Sequence, residues 1–412
     1  MKSPPAPLMP LDDAVARVVD CAKALATGDQ EWISTFDAWG RVLAQDVHAE
    51  LNVPPADNTS MDGYAVRCAD ISPGRPLEVS QRIAAGHVGD ALRPHTVARI
   101  FTGASIPDGA DAVIMQEEGT ALDDGRVQFA KSPTPGQWIR SAGEDIQKGT
   151  AVLRRGKRLN PAAMGLAASV GCARLKVVKR PRVALFSTGD ELVMPGEPLR
   201  PGAIYNSNRF MLKGLLTGGG CDVSDLGIVP DRLDATQQAL RQAAQDHDLI
   251  LTSGGVSVGE EDHLRPAMQL EGRIDLWQVA IKPGKPLALG AVRRSQGGEA
   301  LFIGMPGNPV SSFVTFLLFA IPALQALQGM DHKPCKALRV RADFDWPKPD
   351  RRREFLRVRL NADQGLDLFP NQSSGVLTSA VWADGLVDNA PGQSIARGDW
   401  VNFLPLSELM GL

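Results

Sequence analysis

Along the chain the spacing of apolar side chains changes character repeatedly, and each change marks an element. Within Leu11 to Ala26 apolar residues recur at Leu11, Val15, Val18, Val19, Ala22 and Leu25 and stop short of Gly28. That is the spacing of a helix with one apolar face. From Val47 to Asp145 the text turns to short β-branched runs, Leu77 to Ile83, Ala98 to Thr102, Ala112 to Gln116 and Val127 to Ala130, broken by Gly, Pro and Asp. This predicts a small β-rich insertion. A proline-started helix, Pro161 to Val170, and the strand that follows it within Arg158 to Val178 predict a return to the opening helix. The insertion would then split a helical N-terminal domain in two.

From Arg182 strands and helices alternate: Val183 to Ser187, helix Ser207 to Leu216, Asp222 to Val229, helix Ala235 to Gln245, then Leu249 to Thr252. The pattern continues through Leu276 to Ile281, Leu287 to Leu289 and Leu301 to Gly304 to a last helix from Pro309. Alternation of this kind predicts a mostly parallel sheet with helices on both faces. Past Lys333 the helical spacing stops, and Leu338 to Phe344, Phe355 to Leu360, Val376 to Trp382 and Trp400 to Leu404 predict the strands of a small barrel or sandwich. The expected fold is a multidomain α/β protein. Its parts are a discontinuous helical N-terminal domain (1–47 with 146–180), an inserted β-rich domain (48–145), a parallel-sheet α/β domain (181–332) and a C-terminal β-barrel (333–412). A length of 412 residues leaves room for about two to four compact units, which agrees.

Composition narrows the function. Forty-four Lys and Arg against 47 Asp and Glu give a net charge of -3, so no global charge draws the chain to nucleic acid or an anionic membrane. Any anion site is local. The cysteines, Cys21, Cys68, Cys172, Cys221 and Cys335, form no C-x-x-C pair, and the Pro-rich start from Ser3 to Pro10 lacks the pattern of a signal peptide. A reducing cytoplasm is the expected setting. The apolar run Phe313 to Leu327 is interrupted by Thr315, Pro322 and Gln325 and falls short of the roughly 20 residues that span a bilayer, so it reads as a buried helix. The sequence holds no G-x-x-x-x-G-K-[ST], G-x-G-x-x-G or H-E-x-x-H, which argues against ordinary P-loop, dinucleotide and zinc-protease schemes.

Ligands of an open parallel sheet bind beyond the carboxyl ends of its strands. There the sequence places Thr188-Gly189-Asp190-Glu191, Pro230-Asp231 and Ser253-Gly254-Gly255 running on to Asp262. Glycines admit backbone N–H groups close to an anion, and helix amino termini favour a phosphate. Glu191, Asp231 and Asp262 are the hard oxygen donors that magnesium would take beside it. Any one such loop reads as a turn and a helix cap; three at successive strand ends favour an anion site. Lys282-Pro283-Gly284-Lys285-Pro286 sets two cations on a turn stiffened by prolines, suited to an oxyanion. Met305-Pro306-Gly307-Asn308-Pro309 opens the last helix at the same edge.

These motifs, with Asn58-Thr59-Ser60-Met61-Asp62-Gly63-Tyr64-Ala65, Thr102-Gly103-Ala104 and Gly143-Glu144-Asp145 in the insertion, occur in the order seen in one family. The chain resembles the molybdopterin molybdenumtransferases, the MoeA and gephyrin E-domain family. The resemblance implies a molybdopterin-binding α/β domain and a homodimer in which that domain faces the insertion of the other subunit. It implies insertion of molybdate into the dithiolene of adenylylated molybdopterin with release of AMP, dependent on Mg2+. A molybdopterin adenylyltransferase would supply the substrate. Asp62, Thr102, Asp145, Glu191, Asp231 and Asp262 are implied as catalytic, the last three as metal ligands. Thr188, Ser253, Gly254, Gly255, Lys282 and Lys285 are implied as substrate-binding, as are Pro306, Asn308 and Pro309. Arg357 and Ser374 correspond only approximately to a molybdate-binding Arg and Ser, and Gly375 stands where relatives often carry a second Ser. A non-catalytic scaffold and a pyrophosphate hydrolase are the rival functions on such a fold.

Overall fold

The computed structural model describes residues 8–255 and 263–411. The chain separates into two compact units, one of Met1–Glu31, Gly40–Ala44 and Val177–Leu412, the other of Trp32–Trp39 and Gln45–Lys176.

The larger unit opens with helix α1 (Leu11–Leu25) and continues through β1 (Arg182–Thr188), α2 (Ser207–Gly218), β2 (Asp222–Val229), α3 (Leu233–Asp246) and β3 (Leu249–Ser253). Then come α4 (Leu264–Glu271), β4 (Gly272–Gln278), β5 (Pro286–Arg293), β6 (Glu299–Met305) and the long helix α5 (Pro309–Leu327). The six strands lie in the order β2-β1-β3-β6-β5-β4. β2, β1, β3 and β6 run parallel, whereas β5 runs antiparallel to both its neighbours, β6 and β4. Both faces of the sheet are covered, which is why its central strands read as continuous apolar runs. Leu185, Leu251 and Ile303 point into a core with α1, α2 and α5, while Phe186, Ile250 and Phe302 point into one with α3 and α4.

The apolar stripe of α1, with Ala14, Val18 and Ala22 fully buried, packs on the carboxyl-terminal part of α5. In the smaller unit helix Pro161–Ser169 contacts the strand Ala151–Leu153 and the short turn Thr35–Asp37. The long helix α5 is buried along nearly its whole length, which requires the further layer that α1 supplies over it. With a mean hydropathy of 1.9 it would pass for a membrane span, but 89% of that window is buried within the protein. Its middle turn, Phe316–Ala320, is π-helical.

Past α5 the chain forms β7 (Leu338–Ala342), β8 (Arg353–Leu360), β9 (Gly365–Leu368), β10 (Gly385–Asn389) and β11 (Trp400–Pro405). β8 pairs with β9, β9 with β7, β7 with β11, β11 with β10, and β10 with β8 again, so five strands close into a barrel. Closure removes free sheet edges. Leu356, Val358, Val387 and Phe403 fill its interior. Val376 to Trp382, expected as a strand, is instead the helix Leu377–Trp382. Ser379 donates from its hydroxyl to the Val376 carbonyl, a local alternative to a ladder bond, and Val381 is left 83% exposed.

The smaller unit holds a six-stranded sheet in the order Ala112–Met115, Gly63–Val66, Thr96–Ile100, Leu77–Ile83, Arg126–Phe129, Gly119–Ala121. A Cβ on Gly63 would lie 2.0 Å from the Ile114 carbonyl oxygen, so glycine is required in that strand. The chain leaves this unit's base through Val47–His48 and returns beside it through Ala151–Leu153, an antiparallel pair.

Candidate functional site

Within the larger unit the carboxyl ends of β1, β3 and β6 are knitted together. Gly254 donates its N–H to the Met305 carbonyl at 3.1 Å, joining the end of β3 to the end of β6. Gly254 and Gly255 have φ of +92° and +67°. A Cβ on the first would lie 2.7 Å from the Thr188 carbonyl oxygen, and one on the second 2.8 Å from its hydroxyl. Only glycine brings this loop so close to the end of β1. Asn208, in the first turn of α2, completes the knot: its amide donates to Ser253 Oγ at 2.8 Å and to the Gly307 carbonyl at 2.7 Å. Sequence reasoning missed Asn208, and the Asn206-Ser207-Asn208 helix start was the signal available for it. Asn206 caps α2 by accepting from Arg209 N–H.

The loops after β1 and β2 also meet, through Asp231 N–H and Asp190 Oδ1 at 3.4 Å. A Cβ on Gly189, φ +139°, would lie 2.5 Å from Glu191 Oε2, so the Glu191 carboxylate folds back over the turn. Glu191 and Asp231 thus sit on joined loops, while Asp262 and the preceding residues 256–261 lie outside the described residues. Among the described residues no three His, Cys, Asp or Glu side chains gather closely enough to hold a metal ion.

The lysine turn packs on α5: a Cβ on Gly284, φ +107°, would lie 2.6 Å from Thr315 Oγ1. Lys282 is not free to swing. Its Nζ is 3.1 Å from Glu354 Oε1 and 3.5 Å from Asp350 Oδ2, and its side chain stays 38% exposed. Asp350 is held far below the usual carboxylate range, chiefly by Arg352, which donates to it from Nε and Nη2. Lys285 is exposed, and among the described residues no carboxylate pairs with it. Pro306 is buried, whereas Asn308 is exposed and its side chain caps nothing. Val310 N–H, one residue after Pro309, donates to the Ser374 carbonyl at 2.9 Å, which brings the start of α5 and the Ser374 loop together.

Arg357 differs from the expectation for a direct anion ligand. It is 1% exposed and donates to Ser379 Oγ, the Phe355 carbonyl and the Ser373 carbonyl at 3.2, 3.0 and 3.4 Å. Burial pushes its pKa down to about 10. These contacts shape the loop that carries Ser374.

In the smaller unit Asp62 and Thr102 form one device. Asp62 Oδ1 accepts from the Thr102 backbone N–H and from its hydroxyl, each at 2.7 Å. The N–H bond above all, then the hydroxyl, holds the Asp62 carboxyl below its ordinary range. Arg99 supports the turn, stacking 4.5 Å from the Phe101 ring and 5.3 Å from that of Tyr64 while donating to the Gly63 carbonyl. The same loop cluster reaches towards Asp145: Asn58–Thr59 pairs with Ile139–Arg140, and Asp57 Oδ1 accepts from Ala142 N–H. Asp145 itself is exposed, with its N–H on the Val53 carbonyl.

A mostly parallel sheet with a glycine-lined strand edge, running on into a closed barrel and preceded by a β-rich unit, defines a multidomain α/β protein. Family models match in series: the MoeA N-terminal region (domain I and II) over residues 9–171, the probable molybdopterin binding domain over 184–326 and the MoeA C-terminal region (domain IV) over 339–406. A molybdopterin molybdenumtransferase of Haemophilus influenzae is 45% identical over 287 residues, 69% of this chain and 70% of its own. Molybdopterin molybdenumtransferase 2 of Mycobacterium tuberculosis is 37% identical over 368 residues, 85% of this chain and 88% of its own. The solved molybdopterin biosynthesis moeA protein of Pyrococcus horikoshii OT3 aligns at a TM-score of 0.82 and 28% identity, covering 97% of this chain and all of that one. The chain belongs to the molybdopterin molybdenumtransferase (MoeA) family.

Proposed function

We propose that this chain inserts molybdate into the dithiolene of adenylylated molybdopterin and releases AMP, in the cytoplasm and as a homodimer. One observation carries the reading. An unbroken run of contacts links the glycine loop at Gly254, the start of α5, the Ser374 loop and the lysine turn. A phosphate-bearing substrate on the glycine loop therefore has an oxyanion site beside it. Thr188, Ser253 and Gly255 hold the substrate's phosphates through backbone and hydroxyl donors, Gly254, whose N–H is taken by the Met305 carbonyl, lets the substrate approach the loop closely, and Lys282 and Lys285 offset the charge of molybdate. Pro306, Asn308 and Pro309 fix the start of α5, and Arg357 supports Ser374.

Glu191 and Asp231, on joined loops, together with Asp262, are the residues we assign to magnesium. Hard carboxylate oxygens suit it, and magnesium is commonly held by one or two carboxylates plus substrate phosphate. When bound it would offset phosphate charge. Asp62, Thr102 and Asp145 are assigned to the site of the second subunit, and a molybdopterin adenylyltransferase is the supplier of substrate. The four-part division 1–47 with 146–180, 48–145, 181–332 and 333–412 is kept as part of this reading.

The test is AMP release from adenylylated molybdopterin with and without molybdate. Release that requires molybdate is expected. Release independent of molybdate would make the protein a hydrolase, and no release at all would make it a scaffold.

A further inference from the structure

Lys282 is joined to the barrel by its backbone as well as its side chain. Ile281–Lys282 runs parallel to β8, with Ile281 opposite Arg353 and Lys282 opposite Glu354. Glu354 is fully buried. Its two carboxylate oxygens have different tasks. Oε2 accepts from Trp346 Nε1 at 2.8 Å, from Asp350 N–H at 3.1 Å and from Asn389 Nδ2 at 3.4 Å. Oε1 accepts from Lys282 Nζ at 3.1 Å. Three neutral donors thus fix one oxygen, and the other fixes the lysine.

We propose that Glu354 is a positioning residue for molybdate capture: from inside the barrel it holds the Lys282 ammonium at one place, with its exposed side open to the anion. The proposal rests on Lys282 being an anion-binding residue. A lysine has four rotatable bonds, and ordering them on binding weakens affinity; holding them beforehand removes that loss. The opposing effect is that a carboxylate near the site repels an anion. Glu354→Gln separates the two. The glutamine keeps its oxygen where three donors require an acceptor, which turns its NH2 towards Lys282 and displaces the ammonium.

In the otherwise unchanged protein, Glu354→Gln should raise the KM for molybdate about three- to tenfold, the size expected for losing one prepositioned side chain. The KM for adenylylated molybdopterin should stay the same. In a Lys282→Ala background the same substitution should leave the molybdate KM unchanged or lower it, because only the repelling charge is then removed. Glu354→Asp keeps the charge and should lie nearer the unsubstituted protein. Thermal melting of each variant reports folding; if Glu354→Gln does not fold, Trp346→Phe, which removes the Nε1 donor to Glu354 and keeps an aromatic ring beside Lys282, takes its place with the same expected direction.

An unchanged or lowered molybdate KM for Glu354→Gln, with Lys282→Ala raising it, overturns the positioning role. An equal rise in both backgrounds also overturns it, since Glu354 would then act other than through Lys282. If Lys282→Ala itself leaves the molybdate KM unchanged, the anion-binding reading of Lys282 is what fails.

Discussion

The glycine edge of the large unit and the Asp62–Thr102 turn of the small one hold their shape by opposite means. At the edge backbone packs against backbone, and the loops fit only because Gly254 and Gly255 lack side chains against Thr188. In the turn, one side-chain carboxylate is held by one neighbouring residue on an accessible surface. Geometry made from backbone is intolerant, because any added atom displaces a strand end. A side-chain device fails locally and leaves its surroundings standing.

The sharpest way to break this contrast is Gly254→Ala. With φ at +92° and a Cβ placed 2.7 Å from a backbone oxygen, it should destabilise the large unit by about 1–3 kcal/mol and abolish molybdate-dependent AMP release. Denaturant titration and the AMP assay measure both, and an active variant of normal stability would refute the intolerance of the edge.

Next in size is complementation. Asp62→Asn and Asp262→Asn should each be nearly inactive alone, yet a mixture that forms heterodimers should recover part of the activity. No recovery in demonstrated heterodimers would count against a site shared between subunits.

Lys282→Ala is intermediate. Loss of charge-assisted contacts to an oxyanion corresponds to about 1.5–3 kcal/mol, and the molybdate KM should rise accordingly. The variant should also melt earlier, because Glu354 is left buried without its cation. An unaltered KM would remove Lys282 from the site.

The smallest effect belongs to the turn. The Asp62 carboxyl should titrate below ordinary aspartate in an NMR experiment, and Thr102→Val should raise it only partway, since the larger cause is the backbone N–H that valine retains. Because the folded pKa is lowered, the stabilisation is complete above the unfolded pKa near about 3.9 and is lost as pH falls through the lowered value. Asp62 therefore adds no pH dependence near neutrality. A full return to the ordinary value in Thr102→Val would show that the hydroxyl dominates.

Much of this was legible in the chain. The alternation after Arg182 announced the sheet, and the glycines at its strand ends announced the tight loops at Gly254 and Gly255, because both follow from local periodicity and turn chemistry. What stayed hidden depends on distant partners. Nothing near Glu354 says that Lys282, far back in the chain, will meet it, and nothing near Leu11 says that α1 will cover α5. Arg357 was marked only through the family resemblance, and its burial and its bonds to Ser379 and Ser373 are not visible in a sequence. The β-branched residues of Val376 to Trp382 suggested a strand, but the segment is a short helix in which the Ser379 hydroxyl donates to the Val376 carbonyl.

The packing of α1 on α5 has a consequence for how the protein is made. Helix α1 leaves the ribosome with its apolar stripe uncovered and waits until the α/β part of the large unit has been synthesised as far as α5. At roughly 5–20 residues per second, that wait is on the order of tens of seconds. The small unit, largely one continuous stretch of chain, is complete long before. The later-made helix thus decides when the earlier one is seated: α1 is covered only when α5, the segment most like a membrane span, arrives beside it.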